Sequence, residues 1–454
     1  MNSCEQTNVL LVTVGAHGHL NPILTLGKCL VSKGLHVTLA TTHNILKNTF
    51  GIDVEIFSDG IPKDYNGRPS MDYYMDTLSK FGPINLLALI RAHRSKFSCI
   101  IGTPFVPWVV DVADELGVPT AMLWIQPCAL FKIYHCFYNQ LIEFPTESNP
   151  NIIVKLHGLP KFSPDELPSF VLPTNKVRSF DSILNNVFHN LHKWKWVLGN
   201  SFTELENEVI GSLDDVGCEF WPVGPLVPAR LLGKEDDDGF DYIKSNGESD
   251  CITWLNKQKP CSVVYISFGS VLSLSEKEIE NIAAGLKATN RPFLWVVKTP
   301  GDKEVKELGF LEDIKWQGLI VRWSPQTEVL SHSSVGCFLS HCGWNSLLES
   351  LAAGVPVIAC PQWTDQPTNA KLVTDIWGVG VKLKKDLKGV VSGEEVSRCV
   401  EEVMGGRRSE EFRKNALVWK AVAREALVDG GSSDKNIELF VNEVISCCSS
   451  YKGK

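Results

Sequence analysis

Short apolar runs alternate with stretches of helical spacing through almost the whole chain, and the alternation occurs twice. In the first half, Val9 to Val14, Leu35 to Thr41, Val54 to Phe57, Cys99 to Ile101 and Thr120 to Ile125 read as buried strands. Between them, helical spacing runs from about Asn21 to Lys33, from Met71 to His93 and from Val106 to Leu116. A Gly-x-x-Gly turn at Gly15 and Gly18 precedes the first helix, which has Pro22 near its first turn. This β-α-β rhythm predicts parallel, doubly wound sheets, whose ligands sit at the carboxyl ends of strands. Attention therefore falls on residues 15–19, 102–104 and 125–129.

The middle is less regular. Pro160, Pro164, Pro168 and Pro173 make a loop passage. Helical spacing resumes near Ser182 to Val197, and Leu198 to Phe202 and Glu219 to Val223 read as the last strands of a first sheet. A Gly-, Pro- and acid-rich stretch within 224–250 reads as interdomain linker. The second half repeats the pattern, with strands at 262–267, 292–297, 319–321, 335–340 and 355–359. Helices are expected at 276–288, 345–353, 367–377, 392–404, 410–428 and 435–446. The expected division is residues 1–230 as one domain, 231–250 as linker and 251–430 as a second domain. A terminal helix in 431–454 is expected to pack back on the first.

Val335 to Ser340 meets a tight turn at Gly343, and Leu347, Leu348 and Leu351 then follow at helical spacing. A strand that turns into a helix start leaves backbone N–H groups unpaired beside the positive end of the helix dipole, a place to hold phosphate. His341, Asn345 and Ser346 can donate to phosphate, and Glu349, one turn on, can accept both hydroxyls of a ribose. Trp323 offers a flat face for a pyrimidine base, and Asp365-Gln366 suits the vicinal hydroxyls of a sugar. Taken singly, Trp323 and Trp344 read more readily as core aromatics, and His341 as a satisfied buried histidine.

Together these residues resemble the 44-residue signature box of plant UDP-sugar-dependent glycosyltransferases of secondary metabolism, which would span Trp323 to Gln366 here. Its anchors stand at their usual spacing: Trp323, Pro325-Gln326, His341 to Ser346, Glu349, Gly354-Val355-Pro356, Pro361 and Asp365-Gln366. The resemblance implies an α/β fold of two Rossmann-like doubly wound parallel-sheet domains facing a cleft, of the GT-B type. It implies that Trp323 stacks on uracil, with the Ser324 backbone at the base edge and Gln326 and Glu349 on the ribose. His341, Asn345 and Ser346 would hold the pyrophosphate, and Trp344, Asp365 and Gln366 the sugar; Gln366 is loosely associated with glucose, with galactose, xylose and glucuronic acid as alternatives. Ser270, in the glycine turn Phe268-Gly269-Ser270, is a further phosphate contact by its place after a strand.

The same resemblance extends to Gly18-His19-Leu20-Asn21-Pro22, whose histidine is the family's general base. Histidine titrates near neutrality and suits removal of a proton from an acceptor oxygen, so His19 is the candidate base for an inverting attack. His17 reads as a turn residue. The family's orienting aspartate is replaced by Thr103, which can accept from the imidazole but supplies no charge to offset an imidazolium. Asp111 and Asp114 lie too far along the next helix to substitute. A weakened base favours an acceptor that is already ionised, such as a carboxylate, or an activated phenol. Carbon-linked transfer to an electron-rich ring is the alternative. Trp108, Trp124, Gln126, Phe131 and Tyr134 are candidates to line a flat apolar acceptor pocket, and read equally well as core.

Other classes fit less well. A nicotinamide oxidoreductase would also be doubly wound, but the first turn lacks Gly-x-Gly-x-x-Gly. A non-catalytic sugar-nucleotide binder would have no use for His19. The net charge of −8 argues against nucleic acid or an anionic membrane surface as partner. Fourteen cysteines without a Cys-x-x-Cys pair read as reduced thiols. Asp236 and Asp238 form an Asp-x-Asp of the kind that holds manganese elsewhere, but they lie in a solvated acidic run, so no metal and no cofactor is expected beyond UDP-glucose as donor. With no secretory core at the amino terminus and no 18-residue apolar stretch, a cytoplasmic monomer is expected.

Overall fold

A computed structural model describes residues 7–42, 51–62, 65, 69–93, 96–175, 177–214, 216–234, 248–269, 274–298, 309–387 and 389–451. The chain divides into two compact units. Unit 1 comprises Met1–Leu226 and Glu425–Lys454, and unit 2 comprises Val227–Arg424. Most of the stretch expected as linker, with Asp236 and Asp238, lies outside the described residues, as does Ser270.

Unit 1 is built on seven parallel strands: β1 (Asn8–Thr13), β2 (His36–Thr41), β3 (Ile52–Ile56), β4 (Cys99–Gly102), β5 (Thr120–Trp124), β6 (Trp196–Gly199) and β7 (Glu219–Pro222). Their order in the sheet is β3-β2-β1-β4-β5-β6-β7. Its helices are α1 (His17–Ser32), α2 (Met71–Ala92), α3 (Val109–Leu116), α4 (Cys128–Tyr138), α5 (Arg178–His189) and α6 (Thr203–Ile210). Strands such as Val9-Leu10-Leu11-Val12 are apolar without alternation because helices cover both faces of a parallel sheet. Val9 pairs with Val37 on one side and Cys99 on the other, which leaves β1 and β4 as the neighbours at which strand order reverses.

Unit 2 repeats the plan with six parallel strands: β8 (Val263–Ser267), β9 (Phe293–Val296), β10 (Gly318–Val321), β11 (Val335–Ser340), β12 (Val357–Ala359) and β13 (Gly380–Lys382), ordered β10-β9-β8-β11-β12-β13. Its helices are α7 (Glu248–Leu255), α8 (Glu276–Thr289), α9 (Gln326–Ser331), α10 (Trp344–Ala353), α11 (Gln366–Lys371), α12 (Gly393–Met404) and α13 (Ser409–Ala426). Here β8 and β11 flank the reversal of strand order. α8 and α12 pack on one face of this sheet over Ile266, Trp295, Leu339 and Ile358, while Ser275 caps α8 with a reciprocal Glu278 bond.

The last helix, α14 (Ser432–Tyr451), belongs to unit 1. Phe440 and Val444 are buried, Phe440 stands edge-on to Trp196, and Lys33 reaches Asp434 and Glu438. No helix among the described residues is long and apolar enough to cross a membrane.

Several elements differ from the sequence reading: the helix expected near Ser182 to Val197 is α5, which ends at His189, the strand expected at Leu198 to Phe202 is β6, Trp196–Gly199, and α6, α7 and α9 have no counterpart there. α1 begins at His17, so His19 lies in a helical first turn rather than in a loop. α4 is buried on nearly every side; its run Cys-Ala-Leu-Phe-Lys-Ile-Tyr-His-Cys-Phe-Tyr has no polar stripe to reveal a helical period.

Candidate functional site

Ligands of open parallel sheets collect beyond the strand ends where the strand order reverses. In unit 2 that point lies between the ends of β8 and β11. β11 leads into Cys342, which takes a left-handed backbone at φ 68°, a conformation that costs a non-glycine residue energy unless its surroundings hold it. Ser340 Oγ accepts from the Cys342 N–H at 3.1 Å, and the Asn369 amide donates to the Cys342 carbonyl at 2.9 Å. The turn delivers the chain into α10, whose N-cap, Gly343, offers no side-chain cap. First-turn N–H groups of a helix have no partner within it, so this end is electropositive.

His341 stands beside that end, wedged between two glycines. A Cβ on Gly269 would meet its Cε1 and Nε2 at 2.9 Å, and one on Gly343 would meet Nε2 at 2.5 Å. Only glycine admits the ring here, and Gly269 also has a φ of 73°. Burial pulls the His341 pKa down to about 4, and its Nδ1 is buried without a hydrogen bond. Ser346 and Glu349 follow on α10, joined by Gln326 at the start of α9. The Gln326 amide donates to Ser346 Oγ at 2.9 Å and to Glu349 Oε2 at 2.6 Å. Behind them the buried Tyr265 hydroxyl donates to Gln326 Oε1 at 3.2 Å and lies 3.0 Å from Ser324 Oγ. Tyr265 was not found in the sequence, because a tyrosine in the apolar run of β8 carries no motif.

Trp323, just past β10, is half-buried. Trp344 differs from the sequence expectation of a sugar contact. Its indole is buried against Trp377, with centroids 5.8 Å apart. After β12, Thr364 again adopts positive φ, 59°. Asp365 accepts from the Thr364 hydroxyl at 2.7 Å and from the Asn369 amide at 2.6 Å, and Gln366 Oε1 accepts from the Gln362 N–H at 2.9 Å. Asn369 thus ties the Asp365 loop to the Cys342 turn.

In unit 1 the corresponding point lies between β1 and β4, and His19 and Thr103 meet there. His19 Nδ1 is 3.2 Å from Thr103 Oγ1, which is 3.0 Å from Thr13 Oγ1. The imidazole is 8% exposed, and burial pulls its pKa down to about 3. The Phe105 ring lies 3.9 Å from the imidazole, tilted by 40°, and leads on to Phe180 at 5.1 Å. Phe105 was not singled out from sequence, where it is one aromatic among 21 phenylalanines. Asp111 pairs at the surface with Lys193 and takes no part.

The expected acceptor residues separate into two groups. Trp124 and Phe131 are fully buried, packed with Tyr134 and Phe188, and Trp124 Nε1 donates to the Pro127 carbonyl. They form the core between β5, α4 and α5, and the acceptor assignment for them is corrected accordingly. Gln126 is half-buried with Oε1 unpaired, and Trp108 is buried with Nε1 unpaired, edge-on to Phe57. These two retain polar atoms for a ligand.

Two parallel Rossmann-like sheets with such switch-point residues define a glycosyltransferase of the GT-B fold, and comparison with known proteins agrees. Residues 243–426 match the family model described as UDP-glucoronosyl and UDP-glucosyl transferase. The chain is 41% identical to UDP-glycosyltransferase 84B1 of Arabidopsis thaliana, covering 97% of this chain and 98% of that one. It is 40% identical to gallate 1-beta-glucosyltransferase 84A24 of Punica granatum, covering 98% and 90%. The crystal structure of Os79 from O. sativa in complex with UDP superposes with a TM-score of 0.87 at 34% identity, covering 96% of this chain and all of that one. The chain belongs to the plant branch of the UDP-glucosyl transferase family, and it is an enzyme that draws on a UDP-sugar donor.

Proposed function

We propose that the protein transfers glucose from UDP-glucose, with inversion and without a metal ion, to the carboxylate of a small, flat aromatic metabolite, forming a glucose ester. Unit 2 carries the donor. Trp323 stacks on uracil, with the Ser324 backbone at the base edge. Glu349, held by Gln326, binds the ribose, and His341, Asn345, Ser346 and the α10 N-terminus receive the diphosphate. Asp365 and Gln366 hold the glucose hydroxyls. Unit 1 carries the acceptor beside His19, with Gln126 and Trp108 supplying polar atoms among aromatic rings. The bond from the anomeric carbon to UDP breaks as the acceptor oxygen attacks from the opposite face, and the departing charge falls on the helix N-terminus.

The observation that carries the choice of acceptor is the pairing of His19 with a threonine in a buried, uncharged setting. A phenol has to lose a proton, and a histidine whose pKa is pulled down to about 3 removes it poorly. A carboxylate is ionised already. The relative named for gallate supports the same reading. The test is incubation with UDP-glucose and a panel of aromatic acids and phenols, with mass detection of the added hexose. Hydroxylamine-labile products from the acids are expected. Products from phenols alone, stable to hydroxylamine, would defeat the proposal.

A further inference from the structure

We infer that His19 carries its proton on Nε2 in the resting enzyme and serves the acceptor as a hydrogen-bond donor that positions an ionised carboxylate. The choice of ligand rests on the carboxylate reading above, whereas the tautomer follows from a count of protons that is independent of it.

Thr13, Thr103 and His19 form a chain of two hydrogen bonds, Thr13 Oγ1 to Thr103 Oγ1 and Thr103 Oγ1 to His19 Nδ1. Both threonines are wholly buried, and among the described residues neither hydroxyl has another partner. Two bonds use two protons, and the two hydroxyls bring two. If Nδ1 also carried one, three protons would share two bonds, and one hydroxyl proton would be stranded in a dry site whichever way the threonines turned. Buried donors without acceptors are rare and costly. With the proton on Nε2, Thr13 donates to Thr103, Thr103 donates to Nδ1, and none is stranded.

An aspartate at position 103 would act otherwise, because an ionised carboxylate can only accept, which fixes the proton on Nδ1 and leaves Nε2 as a base. Threonine can give as well as take, and with Thr13 behind it, it gives. Burial keeps the ring neutral, and Phe105 covers one side of it. Nε2 has no partner among the described residues. A neutral N–H there makes a charge-assisted bond to an ionised acceptor. A lone pair of the carboxylate forms the new bond to the anomeric carbon, the electron pair of the broken bond leaves with UDP, and no proton moves.

Glutamine separates donor from base, since its amide donates but takes up no proton. In the full-length enzyme, His19→Ala should lower kcat/KM for an aromatic acid by about 10- to 100-fold, the weight of one hydrogen bond to a charged group. His19→Gln should recover most of that loss, with UDP affinity unchanged as a check that each variant is folded. An equal loss in both variants would overturn the donor role. Independently, the ring coupling pattern of ¹⁵N-histidine, assigned to His19 by its absence from either variant, should be that of an Nε2–H ring. An Nδ1–H pattern overturns the inference. Were no acid glucosylated at all, the proposed function would fail while the spectrum still decided the tautomer.

Discussion

The two switch points make opposite use of the same architecture. In unit 2 the strand ends of β8 and β11 are surrounded by donors and acceptors already bonded to one another: Tyr265 to Gln326, Gln326 to Ser346 and Glu349, Asn369 to Asp365. In unit 1 the strand ends of β1 and β4 hold two threonines and a neutral imidazole among phenylalanines. One switch point is a network of bonded polar groups, and the other holds few polar groups and, among the described residues, no charged one; under the proposed function the first receives the nucleotide and the second the acceptor. Polar groups fixed in advance cost no reorganisation when the ligand arrives. An aromatic-lined site, on the proposed reading, would instead sort acceptors by shape and by whether they bring their own negative charge.

This contrast can be broken from either side. The largest effect expected belongs to neither site. Phe131→Ala should cost about 3–5 kcal/mol of stability, read by urea denaturation, because the ring is wholly buried. A selective change in acceptor preference at unchanged stability would instead return Phe131 to the pocket. Next, Glu349→Ala removes the charged partner of Gln326 and should raise KM for UDP-glucose by about 10- to 100-fold, leaving the ranking of acceptors unaltered. A reordered acceptor ranking would erase the division of labour between the units.

Thr103→Asp places a carboxylate beside His19, which favours the imidazolium and restores a base. Transfer to unactivated phenols should rise about tenfold with an ascending limb in the pH profile, and transfer to acids should fall; no gain on phenols would count against the role given to Thr103. The response to acid is shared by the two units. His19 and His341 are held neutral with pKa values of about 3 and about 4, against an ordinary 6.5 in the unfolded chain. Below pH 6.5 the unfolded chain therefore binds protons that the folded one does not. Stability is complete above 6.5 and is lost as pH falls toward 4 and then 3, by at most about 1.4 kcal/mol per unit for each ring. Denaturation curves at pH 7.5 and 5.0 should show this slope, reduced in His19→Gln.

Legibility in the sequence follows the same division. Parallel strands bury both faces, so β1 and β11 stand out as unbroken apolar runs, and β11 is bounded as expected at Val335 and Ser340. The strand-turn-helix into α10 is equally plain, because a glycine and small polar residues must stand where a helix begins against a ligand. Residues acting through other residues left no such trace. Tyr265 is one more large side chain in a buried strand, and Asn369 lies in a helix where nothing marks it as the tie between two loops. Around the acceptor, pocket lining and core draw on the same aromatic residues. Trp124 and Gln126 sit two positions apart with opposite fates, and no periodicity separates them, since the strand ends at Trp124 and a helix buried on all sides follows.

The placement of α14 reaches beyond catalysis. Unit 2 is continuous from Val227 to Arg424, whereas unit 1 takes Phe440 and Val444 from the far side of unit 2 in the chain. In a chain made from its amino terminus, Trp196 and β7 are made before α14, which packs against them. Completion of unit 1 therefore waits on a segment that follows unit 2 along the chain.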